Sequence, residues 1–183
     1  MRRGLIALAV AMPFAAGATG LEIDVAGEAN GTVVIDLFEE VAPTHVAQIT
    51  ALAEEGAYDG VVFHRVIDGF MAQTGDVEFG RDPSDLSRAG TGGSDKPDLA
   101  AEFSDRSFMR GTVGMARSAD PNSANSQFFI MFDDASHLDG QYTVVGEVVT
   151  GMDVVDAIKR GSRGANGAVE GAPDVMAEVR VTE

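Results

Sequence analysis

The sequence contains few combinations of side chains that could carry out chemistry. It has no cysteine, and its three histidines, His45, His64 and His137, lack the H-x-H or H-E-x-x-H spacing typical of metal ligands. Ser126 is not within the G-x-S-x-G turn of a serine hydrolase, and no G-x-G-x-x-G segment opens a helix after a strand. We therefore expect no metal site, no hydrolytic triad and no bound dinucleotide.

One segment, residues 63–76, does combine groups that could act together. It reads FHRVIDGFMAQTGD, and it brings a basic residue, large apolar side chains and an amide into one strand–turn–strand unit. An arginine in such a unit is always charged and can donate hydrogen bonds. We take this segment as the candidate functional centre.

The elements that must position this segment are mostly short strands. Alternation of apolar and polar residues, and runs rich in β-branched and aromatic residues, are typical of strands. The Asn30-Gly31 pair predicts a hairpin turn between the first two strands. The predicted strands, of which 61–66 includes the start of the segment, are 21–25, 32–38, 61–66, 112–116, 126–132, 143–149 and 175–181.

Two helices are predicted far apart in the chain. Pro43 suits the first turn of a helix, apolar residues recur at helical spacing between 46 and 53, and Gly56 ends the pattern. Met152, Val155 and Ile158 predict a second, short helix. Many short strands with two distant helices indicate a β-barrel or sandwich rather than repeated βαβ units.

The segment 63–76 and two further groups of motifs resemble the cyclophilin family. The family signature F-H-R-[IV]-I-x-G-F-M-x-Q-x-G-D matches residues 63–76. The resemblance extends over roughly residues 21–182, and three groups of motifs in the right order are far more specific than one. The further matches are GTVGMA at 111–116 with NSQFFI at 125–130, and LDG at 138–140 with VVGEV at 144–148 and GMDVV at 151–155.

This resemblance implies a mainly β fold, a closed eight-stranded antiparallel β-barrel capped by two α-helices, in one domain of residues 19–183. It also implies that the protein is a peptidyl-prolyl cis-trans isomerase that acts on Xaa-Pro bonds without a metal or organic cofactor. The alternative is a barrel that binds proline-containing segments without catalysis. Such a binding module would lack the family's essential arginine, which Arg65 matches.

The residue types suit this reaction, because no bond is made or broken. Rotation about a peptide bond is opposed by about 18–20 kcal/mol of lost resonance. A catalyst must bind the twisted amide better than either planar form. The twisted nitrogen regains a lone pair and can accept a hydrogen bond from a guanidinium, the role that we assign to Arg65.

The resemblance also assigns the substrate contacts. Gln73 and Gln127 would hold amide or carbonyl groups, and the backbone of Ala116 and Arg117 would pair with residues before the proline. The apolar slot for the proline ring would consist of Phe70, Met71, Phe129 and Leu138.

Several positions of the predicted groove depart from the family or stay open. Tyr142 and His137 stand where many members have histidine and tryptophan, and Arg117 stands where many have asparagine. Because imidazole offers less apolar area than indole, we expect only weak binding of cyclosporin A, a macrocycle that many cyclophilins bind in this groove. Alternation places His64 opposite Arg65, so His64 is either a substrate contact or a structural residue.

The first 18 residues have the features of a cleavable secretory signal. Arg2 and Arg3 precede an acid-free apolar stretch, and Ala16-Gly17-Ala18 is an A-x-A cleavage pattern. The stretch is short for a membrane-spanning helix and contains Pro13. We therefore expect cleavage after Ala18, no stable membrane insertion afterwards, and a periplasmic protein whose partners are proline-containing segments of exported proteins.

The charge of the chain bears on its partners. With 13 basic and 29 acidic residues, the formal net charge is −16. Such a surface repels phosphate backbones, so we expect no nucleic-acid partner. We expect a monomer, and we expect the long Asp-, Ser- and Gly-rich stretch 77–97 to be functional or mobile.

Overall fold

The computed structural model describes residues 19–82 and 85–183, so the predicted signal, residues 1–18, lies outside the described residues. Within that part of the chain, the fold consists of nine strands and two α-helices. Their bounds are β1 Gly20–Ala26, β2 Gly31–Leu37, α1 Pro43–Glu54, β3 Val61–Val62, β4 Arg65–Ile67, β5 Met71–Thr74, β6 Thr112–Met115, β7 Phe128–Met131, β8 Val144–Thr150, α2 Met152–Ala157 and β9 Val175–Thr182.

The nine strands form one antiparallel sheet in the order β3-β9-β1-β2-β8-β6-β7-β5-β4. The two end strands, β3 and β4, are consecutive in the chain and are joined by Phe63 and His64, so the two ends of the sheet lie side by side. The hydroxyl of Thr74 in β5 donates to the carbonyl of Val62 in β3 at 2.9 Å and ties these ends together. The sheet therefore curls into a barrel-like shape, which confirms the mainly β, antiparallel architecture with two helices.

The strand count differs from the expected eight because one predicted strand is divided. The chain pairs with β9 at Val61 and Val62, and it changes its partner to β5 from Arg65 onward. At the break, the N–H of Phe63 donates to the carbonyl of Asp174 at 2.9 Å. The predicted strand 61–66 thus becomes β3 and β4, since one strand cannot follow two partners that diverge.

Helix α1 begins at Pro43 as predicted, but its N-terminus is stabilised from a distant segment. Ala42, at the capping position, offers no polar side chain. The Glu102 carboxylate instead accepts the N–H groups of Thr44 at 3.2 Å and His45 at 3.1 Å, and it lies 2.6 Å from Nδ1 of the buried His45 ring. Although partial burial opposes it, these hydrogen bonds lower the pKa of Glu102. An anion is thereby placed at the positive end of the helix dipole.

Two apolar clusters form the interior, and the adjacent residues Phe128 and Phe129 of β7 belong to different ones. Phe128 packs in the larger cluster with Ile23 of β1, Ile35 of β2 and Ile49 of α1. Burial of each such side chain contributes about 1.5–3 kcal/mol. The smaller cluster of buried residues consists of Met71, Phe108, Phe129, Met131, Ala135, Leu138 and Val144. No described helix is long and apolar enough to span a membrane.

Candidate active site

A cavity of about 160 Å³ opens on the smaller apolar cluster. Nine of the twelve site residues expected from the sequence line it, although they come from widely separated parts of the chain. They are Arg65, Phe70, Met71, Gln73, Ala116, Arg117, Phe129, Leu138 and Tyr142.

The apolar walls of this cavity come from neighbouring strands. Met71 in β5 and Phe129 in β7 are almost fully buried, and the strand register, which pairs Met71 with Met131 and Gln73 with Phe129, places them diagonally on the same face of the sheet. Phe129 stacks on Phe108, with ring centroids 5.8 Å apart, and meets the ring of Tyr142 edge-on at 5.9 Å. Leu138 is also buried. The result is a rigid apolar slot whose rings are held by aromatic contacts on more than one side.

The guanidinium of Arg65 is fixed beside this slot by neutral oxygens. Arg65 pairs with Gln73 across the β4–β5 ladder, and its NH1 donates to the Gln73 side-chain oxygen at 3.0 Å. Its Nε donates to the backbone carbonyl of Asn166 at 3.0 Å, and its NH2 to the Asn166 side-chain oxygen at 3.2 Å. Partial burial lowers the pKa of Arg65, which still leaves the side chain charged. Among the described residues, no carboxylate lies within ion-pair distance of it.

Asn166 is a residue that the sequence analysis missed. It lies 101 positions from Arg65 in the chain. It adopts a left-handed backbone conformation, with φ of 52°, which asparagine tolerates better than most residues. The Asn166-Gly167 pair was the available signal, because this dipeptide is typical of turns. Nothing local could show that the turn would reach Arg65.

The hydrogen-bonded chain continues from Arg65 along the groove. The Gln73 side-chain N–H donates to the side-chain oxygen of Gln127 at 2.9 Å, and Gln127 donates to the carbonyl of Gly92 at 2.8 Å. The two predicted amide residues thus lie together, and each is oriented by a neighbour. This arrangement fixes where a peptide backbone could find donors and acceptors.

The long stretch after β5 is anchored to the site by Asp76, whose role was not anticipated. The fully buried Asp76 carboxylate accepts four backbone N–H groups: those of Glu78 at 3.1 Å, Phe79 at 2.9 Å, Gly90 at 2.7 Å and Gly92 at 3.0 Å. These bonds satisfy the hydrogen-bonding capacity of the carboxylate, and within residues 19–82 and 85–183 no ion pair to Asp76 is found. The described part of 77–97 therefore has a structural connection to the groove, because Gly92 in turn binds Gln127.

A second, more polar cavity of about 240 Å³ adjoins the first. The two cavities share Gln73, Ala116 and Arg117, so these residues form the boundary between them. Its other lining residues are Gly90, Thr91, Gly92, Ser118, Ser123, Asn125, Ser126 and Gln127.

Three predicted site residues do not line the apolar cavity. Gln127 lies in the adjoining one. His137 is exposed and stacks against Phe70, with ring centroids 5.7 Å apart, so it contacts a wall of the cavity without lining it. His64 is buried, and Gly90 packs closely against its ring. Burial lowers the pKa of His64 to about 4. The position of His64 favours the structural alternative over a substrate contact.

An apolar slot, a guanidinium held by neutral oxygens and a pair of hydrogen-bonded amides thus lie together on one curled antiparallel sheet. Residues 21–181 match the family model described as cyclophilin type peptidyl-prolyl cis-trans isomerase/CLD. The chain belongs to this family and is a cyclophilin-type peptidyl-prolyl isomerase.

Curated relatives carry the same name. A probable peptidyl-prolyl cis-trans isomerase of Brucella suis biovar 1 is 63% identical over 149 residues, which are 80% of this chain and 76% of the relative. A peptidyl-prolyl cis-trans isomerase of Helicobacter pylori is 38% identical over 134 residues, which are 72% of this chain and 77% of that one. The resemblance noted from the motifs is thus confirmed over most of the chain.

Solved structures support the same fold. A cyclophilin from Hirschia baltica is similar with a TM-score of 0.70 and 26% identity, covering 87% of this chain and 72% of its own. A cyclophilin-type isomerase from Cryptosporidium parvum, crystallised in the presence of the dipeptide Ala-Pro, is similar with a TM-score of 0.73 and 23% identity. That match covers 90% of this chain and 99% of the other.

Proposed function

We propose that this protein catalyses the cis–trans isomerisation of Xaa-Pro bonds in exported polypeptides and so assists their folding in the periplasm. The observation that carries the catalytic part is the position of the Arg65 guanidinium, which is fixed at the edge of a cavity whose walls are apolar. A proline ring needs such walls, and the amide next to that ring would lie within reach of the guanidinium.

Each predicted residue then has a physical task. The slot formed by Phe70, Met71, Phe129 and Leu138 holds the proline ring still, while the carbonyl before the proline swings around the C–N bond. In the twisted state the imide nitrogen is pyramidal and accepts a hydrogen bond, which the planar nitrogen cannot do well. Arg65 donates to it, so the bond forms only where it lowers the barrier.

The fixed geometry is part of this catalysis. Gln73 and Asn166 hold the guanidinium in place before a substrate arrives, so little reorganisation is needed in the twisted state. A hydrogen bond involving a charged group contributes about 1.5–3 kcal/mol, which corresponds to roughly one to two decades in rate. The amides of Gln73 and Gln127 would bind the substrate backbone on either side.

Two-dimensional exchange NMR on an Ala-Pro peptide tests the reaction directly. With catalytic amounts of the mature protein, exchange cross-peaks between the cis and trans forms should grow at mixing times where the free peptide shows none, because uncatalysed exchange takes tens to hundreds of seconds. A protein that shifts the peptide resonances but does not accelerate exchange would be the non-catalytic binding module instead.

The export part of the proposal rests on the first 18 residues. Protein recovered from the periplasm of an expressing Gram-negative cell should have a mass that corresponds to an N-terminus near Thr19. An intact Met1 in the membrane fraction would contradict the cleaved signal. A variant with Ala16 and Ala18 both changed to bulky residues is the matched control, since it should accumulate uncleaved.

Weak binding of cyclosporin A follows from His137. The imidazole offers tens of Å² less apolar area than an indole, which corresponds to about 1 kcal/mol at ~25 cal/mol per Å². Calorimetric titration should show tighter binding by His137→Trp than by the wild type. Equal, tight binding by both proteins would show that this position does not control the drug site.

A further inference from the structure

Arg117 lies at the boundary of the apolar and polar cavities and lines both of them. A peptide with its proline in the apolar slot must pass this boundary to reach the polar cavity. The resemblance to the cyclophilins implies that residues before the proline pair with the backbone of Ala116 and Arg117, so the residue directly before the proline would lie beside the Arg117 side chain. The side chain of Arg117 is therefore placed beside a variable position of the substrate, whereas Arg65 faces the amide.

The guanidinium of Arg117 is held firmly but its charge is not compensated. It lies over the ring of Tyr142, 4.3 Å from the centroid, and donates to the carbonyls of Gln141 at 2.8 Å and Ser118 at 2.9 Å. Among the described residues, no carboxylate lies within ion-pair distance. Carbonyl oxygens and a ring fix its orientation and leave its unit charge available to a ligand.

Donor groups also remain free on this side chain. A guanidinium has five N–H groups, and the two carbonyls use one each on NH1 and NH2. The Nε atom is buried and has no hydrogen-bond partner among the described residues, so it cannot reach a ligand. One further N–H is left on each terminal nitrogen, and these donors are available to the oxygens of a carboxylate.

We propose that Arg117 is a specificity-determining residue that favours substrates with Glu or Asp immediately before the proline. The proposal rests on the isomerase function proposed above and names its preferred substrate class. It also predicts that Arg117 attracts acidic side chains locally, although the negative net charge of the protein repels them at a distance. The net charge of −16 disfavours acidic peptides at long range, but distant charges are screened beyond about 8–10 Å at physiological salt, while a direct contact at Arg117 is screened much less.

Exchange NMR on matched pentapeptides, Ala-Ala-Xaa-Pro-Ala with Xaa as Glu or Gln, tests the proposal at neutral pH. The ratio of kcat/KM for Glu-Pro over Gln-Pro should be about three to five for the wild type, the range of an exposed ion pair. The ratio should fall towards one at about 0.5 M salt. Because it is a ratio within one protein, it does not depend on how much activity a variant retains.

Arg117→Gln should bring this ratio to one or below, and Arg117→Lys, which keeps the charge but not the paired donors, should leave an intermediate value. Arg81→Gln is the matched control. It removes the same charge from a side chain that donates to the carbonyl of Gly56 at 3.0 Å and lines neither cavity, so the ratio should stay at the wild-type value.

A peptide with Glu after the proline distinguishes a direct contact between Arg117 and the residue before the proline from a general electrostatic attraction of acidic peptides. Its rate relative to the Gln peptide should not respond to Arg117→Gln, and an equal response at both positions would overturn the placement of the contact. A wild-type ratio of one with rapid Ala-Pro turnover would refute only the role of Arg117. Absence of turnover on every peptide would refute the isomerase function itself.

Discussion

Arginines in two regions of this protein are bound in opposite ways. On the outer surface of β1 and β9, Arg180 contacts three carboxylates, those of Glu22 at 2.6 Å, Asp24 at 2.8 Å and Glu178 at 2.7 Å. In the groove, Arg65 is held by oxygens of Gln73 and Asn166, which carry no formal charge. Both guanidinium groups are ordered, but only the one in the groove keeps an uncompensated charge.

The difference shows how an acidic protein can keep one guanidinium group free of carboxylate partners, so that its charge is available to a substrate. Hydrogen bonds to Glu22, Asp24 and Glu178 raise the pKa of Arg180, and these three carboxylates neutralise its charge. Desolvation in the groove lowers the pKa of Arg65, and amide oxygens orient it without neutralising it. A site that must stabilise a transient lone pair needs the second arrangement, because a carboxylate neighbour would compete with the substrate for the same donors.

The largest expected effect separates these two arginines. Arg65→Ala should lower kcat/KM for an Ala-Pro peptide by about one to two decades, because the donor to the twisted nitrogen is lost. Arg180→Ala should leave kcat/KM unchanged and alter stability only slightly, because exposed ion pairs contribute little to stability. Exchange NMR gives the rates and chemical denaturation gives the stabilities. A folded Arg65→Ala protein with near wild-type turnover would refute the mechanism.

The two phenylalanines of β7 sharpen the comparison between groove and core. Phe129→Ala should lower activity per folded molecule about tenfold or more, because it removes a wall of the proline slot. Phe128→Ala, which opens a cavity in the larger cluster, should cost about 3–5 kcal/mol of stability with little change in activity per folded molecule. If the alanine variants are not folded, Phe129→Leu and Phe128→Leu give the same contrast. Equal kinetics of the two variants would make Phe129 a core residue only.

His64 and Arg65 are neighbours in the chain, but His64 is buried whereas Arg65 lines the cavity. The effect of pH on stability tests the burial of His64. Burial lowers the pKa of His64 to about 4, below its ordinary value of 6.5. The unfolded chain therefore binds a proton between these values while the folded protein does not, so stability falls as the pH is lowered from 6.5 to 4. The loss should be about 2 kcal/mol by pH 4.5, since a full proton corresponds to 1.36 kcal/mol per pH unit.

The control for this pH effect is His64→Gln, which has no titrating group at that position. Denaturation of both proteins from pH 7 to 4.5 should show a smaller decrease in the free energy of unfolding for the variant. Parallel curves would mean that His64 is protonated in the folded protein and that burial does not keep it neutral.

The smallest effect concerns the positioning of Arg65. Asn166→Gly keeps the left-handed backbone and the carbonyl that accepts from Nε, and it removes only the side-chain oxygen that accepts from NH2. The loss of one such bond should lower kcat about fivefold to tenfold, with KM little changed. A change in KM alone would instead place Asn166 in substrate binding.

Local patterns in the sequence predicted the individual helices and turns better than they predicted the contacts between distant parts of the chain. Helix α1 was expected from Pro43 to the residues before Gly56, and it spans Pro43–Glu54. The β1–β2 hairpin was expected at Asn30-Gly31, and β2 begins at Gly31. Such features depend on interactions between residues a few positions apart, so a short window of sequence contains their cause.

Contacts across the chain were decided only by tertiary structure. The split of strand 61–66 depends on where β9 and β5 diverge, and the cap of α1 comes from Glu102, nearly sixty residues away. No local property identifies Arg65 as the partner of Asn166, or Gly90 and Gly92 as partners of Asp76. The motif predicted which residues would contact a proline. The hydrogen bond between Arg65 and Asn166, which are 101 positions apart, forms only when the whole sheet has folded.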